Sequence, residues 1–141
     1  QPLIQDNRME RKGLIAMGTV KGDLHDIGKN LVIVFMRANG YEVIDLGTDV
    51  DPERFVEAVE KQGAQIIGIS ALLTTTMETM QDIIEMLKEK KLRNKTNVIV
   101  GGAPLSDEYA AQIGADGYAR DAGGAVELCS RLLTDEVLPD V

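Results

Sequence analysis

The chain carries one histidine, His25, which stands two residues after Asp23 in the run Lys21-Gly22-Asp23-Leu24-His25-Asp26-Ile27-Gly28-Lys29-Asn30. In an extended loop, residues two apart project to the same side. A carboxylate placed there accepts a proton from Nδ1, fixes the tautomer and leaves Nε2 as a lone-pair donor to a metal. One histidine cannot hold a bare metal ion, because protein-only sites need three or four ligands. A single cysteine, Cys129, makes no Cys/His cage with it and no internal disulfide. His25 can, however, supply one axial ligand to a metal whose other positions a macrocycle fills. The plainer reading makes Asp23 a helix cap and His25 a polar loop residue.

These residues need a frame. Five short apolar runs, 13–18, 41–46, 65–70, 97–100 and Gly117–Ala119, alternate with five helical patterns. The middle runs are apolar on both alternating faces, as strands covered on both sides must be. Ile27, Leu31, Val34, Phe35 and Ala38 form one amphipathic stripe, and Asn39-Gly40 ends it. Asp51-Pro52 opens the second helix as N-cap and N1 proline, with Phe55, Val56 and Val59 facing inward. Met77, Met80, Ile83, Ile84 and Leu87 mark the third, with Thr75 and Glu78 spaced as a capping box. A fourth helix starts at Ser106 or Asp107, runs through Ile113 and ends at Gly114. Ala125, Val126, Cys129, Leu132 and Leu133 mark the fifth, Cys129 as packing.

Strict β–α alternation predicts an α/β three-layer sandwich with a five-stranded parallel sheet and right-handed crossovers. It is compatible with a flavodoxin-like strand order 2-1-3-4-5 or with half of a Rossmann sheet. Either places ligands outside the carboxyl ends of the strands, at the switch in strand order. The segments leaving those ends are Lys21–Asn30, 70–76, Gly101-Gly102-Ala103-Pro104 and 120–124, and they collect the small and polar residues. No G-x-G-x-x-G or Walker pattern follows the first strand. The acidic cluster and late lysine of a phosphoacceptor receiver are missing too.

The 141 residues suit one domain. Fifteen Lys and Arg against 23 Asp and Glu give a net charge of −8, which disfavours nucleic acid and anionic membranes as partners. The longest apolar runs, 66–69 and 98–100, fall far short of the roughly 20 residues of a membrane span. Charges in the first 13 residues disfavour a signal peptide, so a cytoplasmic domain is expected. Residues 1–12, with five charges between Asp6 and Lys12, read as a linker.

Asp23-x-His25-x-x-Gly28, 41 residues, Ser70-x-Leu72, 28 residues and Gly101-Gly102 together resemble the signature of cobalamin-binding domains. The resemblance covers residues 13–133. Within that family, Gly18–Asn30 is similar to the corrinoid proteins of methyltransferase systems that use methanol, methylamines, betaines or aryl methyl ethers. The resemblance implies cobalamin bound base-off, with His25 as the lower axial ligand of cobalt in place of dimethylbenzimidazole. Asp23 would hold the imidazole, Thr76 would stand behind that carboxylate, and Thr74 would touch the corrin. Ser70 would bond the displaced base, whose nucleotide tail enters a slot between sheet and helices. Ile27, Leu72 and the glycines at 28, 101 and 102 belong to the same binding site. A Cβ at those glycines would occupy the slot. Tyr118, Asp121 and Ala122 would rim the tail pocket.

The implied function is a methyl carrier that is not itself a catalyst. Its partners would be a substrate-specific methyltransferase, an acceptor methyltransferase of tetrahydrofolate or thiol type, and a reductive activase. Such proteins usually carry an N-terminal helical bundle over the upper cobalt face, and this chain has only a short lead. Residues 1–12 would then be a linker remnant and 13–141 the cobalamin-binding domain. Two alternatives are the small subunit of an adenosylcobalamin-dependent mutase and a cobalamin-sensing domain. The latter would be expected with a DNA-binding segment.

Overall fold

Isoleucine and valine dominate Ile66–Ser70 and Asn97–Gly101, and such strands are stable only where helices cover both faces. The computed structural model, which describes residues 12–137, meets that demand. Its strands are β1 (Leu14–Val20), β2 (Glu42–Val50), β3 (Ile66–Ser70), β4 (Asn97–Gly101) and β5 (Gly117–Ala119). Its helices are α1 (Ile27–Ala38), α2 (Pro52–Glu60), α3 (Glu78–Glu89), α4 (Asp107–Ile113) and α5 (Ala122–Val137). All strand pairs are parallel, in the order β2-β1-β3-β4-β5. This is the flavodoxin-like order, with the switch between β1 and β3.

Alternation along each strand divides the interior into two cores. Ala16, Val20, Ile67, Ile69, Val98 and Val100 face α2, α3 and α4, meeting Phe55, Met80, Ile83, Ile84 and Leu87. Ile15, Met17, Ile66 and Ile99 face α1 and α5, meeting Ile33, Met36, Leu128 and Cys129. Cys129 is fully buried, and burial pushes its thiol up to about 12, so it packs as a small hydrophobe. Of the expected linker at 1–12, all but Lys12 lies outside the described residues.

Two local expectations are corrected, and the helix openings at Asp51 and Ser106 stand as expected. The stripe expected to seat α1 faces outward: Ile27, Leu31, Val34 and Phe35 are 84%, 51%, 60% and 41% exposed. Lys29, Ile33 and Met36 are buried instead. Apolar residues of this helix fall on two sides, so periodicity offered two stripes, and the sheet took the one with Ile33 and Met36. The Thr75/Glu78 capping box does not form, because residues Thr74–Thr76 make a 3-10 turn and Met77 is the N-cap without a side-chain bond. Asp51 is the N-cap of α2, but its carboxylate pairs with Lys21 at 3.0 Å rather than with the helix. Ser106 caps α4 as expected, its Oγ accepting from the Tyr109 N–H at 3.1 Å.

Candidate functional site

The loop between β1 and α1 is held at four points. Thr19, fully buried, donates from Oγ1 to the His25 carbonyl at 3.0 Å. The Asp23 N–H donates to the Val20 carbonyl at 3.1 Å. Gly22, at φ +90°, donates its N–H to Asp49 Oδ1 at 2.7 Å. The Asp49 N–H in turn donates to the Asp23 carbonyl at 3.0 Å. The ends of two strands, β1 and β2, thereby fix one loop.

The result is a buried carboxylate with its acceptors used. Asp23, 0% exposed, takes the His25 Nδ1 and N–H on Oδ1 at 2.8 and 3.1 Å. On Oδ2 it takes the Leu72 N–H at 2.7 Å and the Thr76 hydroxyl at 3.0 Å. Thr76 Oγ1 also lies 2.8 Å from the Leu73 carbonyl, and its one proton favours the charged acceptor. Burial alone would raise the Asp23 carboxyl. The Leu72, His25 and Thr76 donors outweigh it and hold the carboxyl at about 2. Asp23 is therefore not a helix cap: Asp26 precedes α1, and no side chain bonds to that N-terminus.

An ionised carboxylate can only accept, so Nδ1 of His25 is the donor, and in the neutral imidazole Nε2 is the nitrogen with the lone pair. The imidazole is 55% exposed and borders a cleft of about 870 Å³. The cleft follows the carboxyl ends of β1, β3, β4 and β5 and descends between the sheet, α1 and α5. Among the described residues no three His, Cys, Asp or Glu side chains group to hold a metal ion. A metal bound at Nε2 must bring its other ligands with it.

Ile27, Gly28, Ser70, Leu72, Gly101, Gly102, Tyr118, Asp121 and Ala122 all border the cleft with His25. Asp23 and Thr76 lie behind the imidazole rather than on the wall. Thr74 is exposed on its turn and does not border the cleft. Asp121 Oδ1 accepts from the Gly124 N–H at 2.8 Å, so its carboxylate also ties the start of α5.

The three expected slot glycines differ in what requires them. A Cβ on Gly28 would meet no atom within 4 Å, so the protein itself leaves that space open. On Gly101 it would press on the Ala119 carbonyl at 3.3 Å. Gly102 has φ +138°, and its added Cβ would fall on the Ala71 carbonyl oxygen. Backbone geometry alone demands glycine at 102, contrary to the slot argument made for it.

Sequence reasoning missed Lys29. Its Nζ, on a side chain 2% exposed, pairs with Asp45 Oδ1 at 2.8 Å and with Asn30 Oδ1 at 2.7 Å, tying α1 to β2 beside the cleft. Met17, Gly68 and Arg120 also border the cleft and were not anticipated. Lys29, Ile33 and Met36 fall at i, i+4 and i+7 on one stripe, and that spacing was the available signal.

The arrangement suits a large planar metal macrocycle with an appended tail. It has a hydrogen-bonded imidazole with a free nitrogen at the rim, an open space over Gly28, and a deep cleft with an apolar inner end. Comparison with known proteins agrees. The B12 binding domain family model matches residues 13–127. A corrinoid protein of Desulfitobacterium hafniense is 55% identical over 124 residues, covering 88% of this chain and 57% of that protein. The structure of the Methanosarcina barkeri monomethylamine corrinoid protein superposes with TM-score 0.83 at 38% identity, covering 93% of this chain and 62% of that one. The methanol:cobalamin methyltransferase complex of the same organism contains a chain matched at TM-score 0.83 and 34% identity, over 88% of this chain and 47% of that one. The chain spans a little over half the length of the relatives it matches.

Proposed function

Because the chain belongs to the B12-binding domain family, and its cofactor is accordingly a corrinoid, we propose that it is the cofactor-bearing part of a methyl carrier. The single observation that carries this reading is the Asp23–His25 pair, with Nε2 unused at the rim of the cleft. In this reading His25 would hold the corrinoid's cobalt through Nε2, and the cofactor's own base would lie in the cleft, base-off. A bound corrinoid supplies the cobalt that accepts a methyl group from one substrate and yields it to another.

The protein's own residues do the rest. Asp23 holds the ring through Nδ1, and Leu72 and Thr76 hold Asp23, so the lone pair of Nε2 is aimed before the cofactor arrives. Ser70, part-exposed on the wall, offers a hydroxyl to the displaced base. Leu24, Ile27 and Leu72 present an apolar rim that keeps water from the cofactor's underside. The carrier reading assigns activation of the methyl donor to a partner. That chemistry belongs to a substrate-specific methyltransferase, and delivery to an acceptor methyltransferase of tetrahydrofolate or thiol type. A reductive activase restores cofactor lost to oxidation. No helix among the described residues is long and apolar enough to cross a membrane, and the location that goes with this reading is the cytoplasm.

The test loads the protein with hydroxocobalamin, reduces it, and adds methylamines or methanol with methyltransferases of the same organism. The reading expects the methylated cofactor spectrum with one donor–enzyme pair. Activity with adenosylcobalamin and a mutase large subunit, and none with any methyltransferase, would contradict it.

A further inference from the structure

Two rows of residues in register across the sheet run beneath the cleft, and Met17, Gly68, Ile99, Ser70, Gly101 and Ala119 of them border it. The outer row reads Thr19, Ser70, Gly101, Ala119. The inner row, two residues further from the carboxyl ends, reads Met17, Gly68, Ile99, Gly117. Alternation directs both rows to the face shared with α1 and α5. The outer row is small and open, with Ser70, Gly101 and Ala119 each half-buried on the cleft. The Ser70 hydroxyl makes no hydrogen bond among the described residues. The inner row is closed: Met17 is 5% exposed and Ile99 is 3% exposed.

Met17 closes the row by lying across its neighbour. A Cβ built on Gly68 would fall on the Met17 sulfur, with Cε at 3.0 Å and Cγ at 3.6 Å. The thioether therefore occupies the trough that glycine leaves between two strands. Ile99, on the other side, is β-branched and stiff. Methionine has three rotatable bonds and a polarizable sulfur that packs well against aromatic ring edges. Beyond Ser70, a group descending the cleft meets first a hydroxyl and then a movable sulfur.

We propose that Met17, seated on Gly68, is the adjustable end-stop of the cleft and determines which lower bases the protein accepts. Resting on the reading that the cofactor's nucleotide tail enters this cleft, the class it admits is the fused two-ring aromatic base. The thioether moves out of the trough to lie against the ring. A rigid or displaced side chain there shortens the cleft and excludes the base.

Equilibrium binding of two corrinoids tests this. Cobalamin carries the two-ring base, and cobinamide has no nucleotide at all. Unsubstituted protein should bind cobalamin about tenfold or more tighter than cobinamide. Met17→Phe should lose about tenfold or more in cobalamin affinity, while cobinamide changes by less than about twofold. Gly68→Ala pushes the sulfur into the cleft and should act in the same direction. Adding Met17→Ala to Gly68→Ala removes the collision and should restore cobalamin affinity. If the loss in Gly68→Ala persists in the double variant, or cobinamide affinity falls equally, Met17 is not the stop and the proposal fails. Equal binding of the two corrinoids by unsubstituted protein overturns the proposal alone. Binding of neither overturns the functional reading beneath it as well.

Discussion

The backbone N–H of Leu72 donates to Oδ2 of Asp23 at 2.7 Å, joining loops 49 residues apart. This bond crosses from the end of β3 to the loop after β1, the point where strand order switches. One carboxylate thereby aligns an imidazole and locks the two loops that frame the cleft. In the proposed function the same residue would serve folding and ligand binding, so its removal should be legible in both.

Acid stability is the first consequence. The Asp23 carboxyl sits at about 2 in the folded protein against an ordinary value of 3.8. A depressed group contributes its stability above the unfolded value and loses it as pH falls through the folded one. The difference amounts to about 2 kcal/mol, present at pH 7 and lost between roughly pH 4 and pH 2. Asp23→Asn should be less stable than the parent at pH 7 by at least that amount, since its amide N–H₂ would face other donors. It should also show a flatter acid limb in urea unfolding. Parallel pH profiles for the two proteins would refute the role assigned to this carboxylate.

Thr76 separates a hydroxyl from a shape. Thr76→Val keeps the volume and removes one donor from the buried carboxylate, at a cost of about 1–3 kcal/mol, whereas Thr76→Ser keeps the donor. The Asp23 carboxyl, followed by NMR titration, should move up in the valine variant and stay low in the serine variant. An equal shift in both would mean that packing rather than hydrogen bonding sets its acidity.

Much of this was readable in advance, for identifiable reasons. Asp23 and His25 are two apart, and that spacing brings two side chains together with little help from the rest of the fold. The parallel sheet followed from strict alternation, which left two strand orders open until the structure gave β2-β1-β3-β4-β5. Leu72 was marked by its motif, but its contribution to Asp23 is a backbone donor, which leaves no mark on residue type. Lys29 was passed over because lysines are normally solvated, and its burial depends on Asp45 arriving from another strand. The outward face of α1 was misread because both of its stripes are apolar. At Gly102 the residue was identified and the reason was wrong: a carbonyl from the neighbouring Ala71 demands glycine there, whatever ligand binds.

That distinction predicts opposite behaviour for two glycines. Gly102→Ala should cost at least about 2 kcal/mol in unfolding free energy with no ligand added, from strained φ and the Ala71 collision. Gly28→Ala, in the first turn of α1 with open space around its Cβ, should leave unfolding unchanged or raise it by up to about 1 kcal/mol. Its cobalamin affinity should nevertheless fall about tenfold, because the methyl group occupies the cleft. Calorimetry and equilibrium binding on the two variants check this. A destabilised Gly28→Ala protein would contradict it.

The ion pair of Lys29 and Asp45 should respond asymmetrically. Lys29 is 2% exposed and Asp45 is 43% exposed at the side chain. Lys29→Met removes the buried charge and leaves an aspartate that water can solvate, so stability should stay within about 1 kcal/mol. Asp45→Ala strands the buried ammonium and should cost about 2 kcal/mol, a figure already reduced for the exposure of the carboxylate. Urea unfolding of both variants at neutral pH decides it, and equal losses would show that Lys29 is not the buried member.

The central claim is that a protein nitrogen, Nε2 of His25, binds the cofactor's cobalt in place of the cofactor's own base. Protein labelled with nitrogen-15 and loaded with unlabelled cobalamin answers this in one electron paramagnetic resonance spectrum of the cobalt(II) form. A protein nitrogen splits each cobalt line into a doublet, and an unlabelled base nitrogen splits it into a triplet. The account predicts doublets in the labelled protein and their loss in His25→Ala. Triplets in the labelled protein, or doublets that survive in His25→Ala, would contradict it.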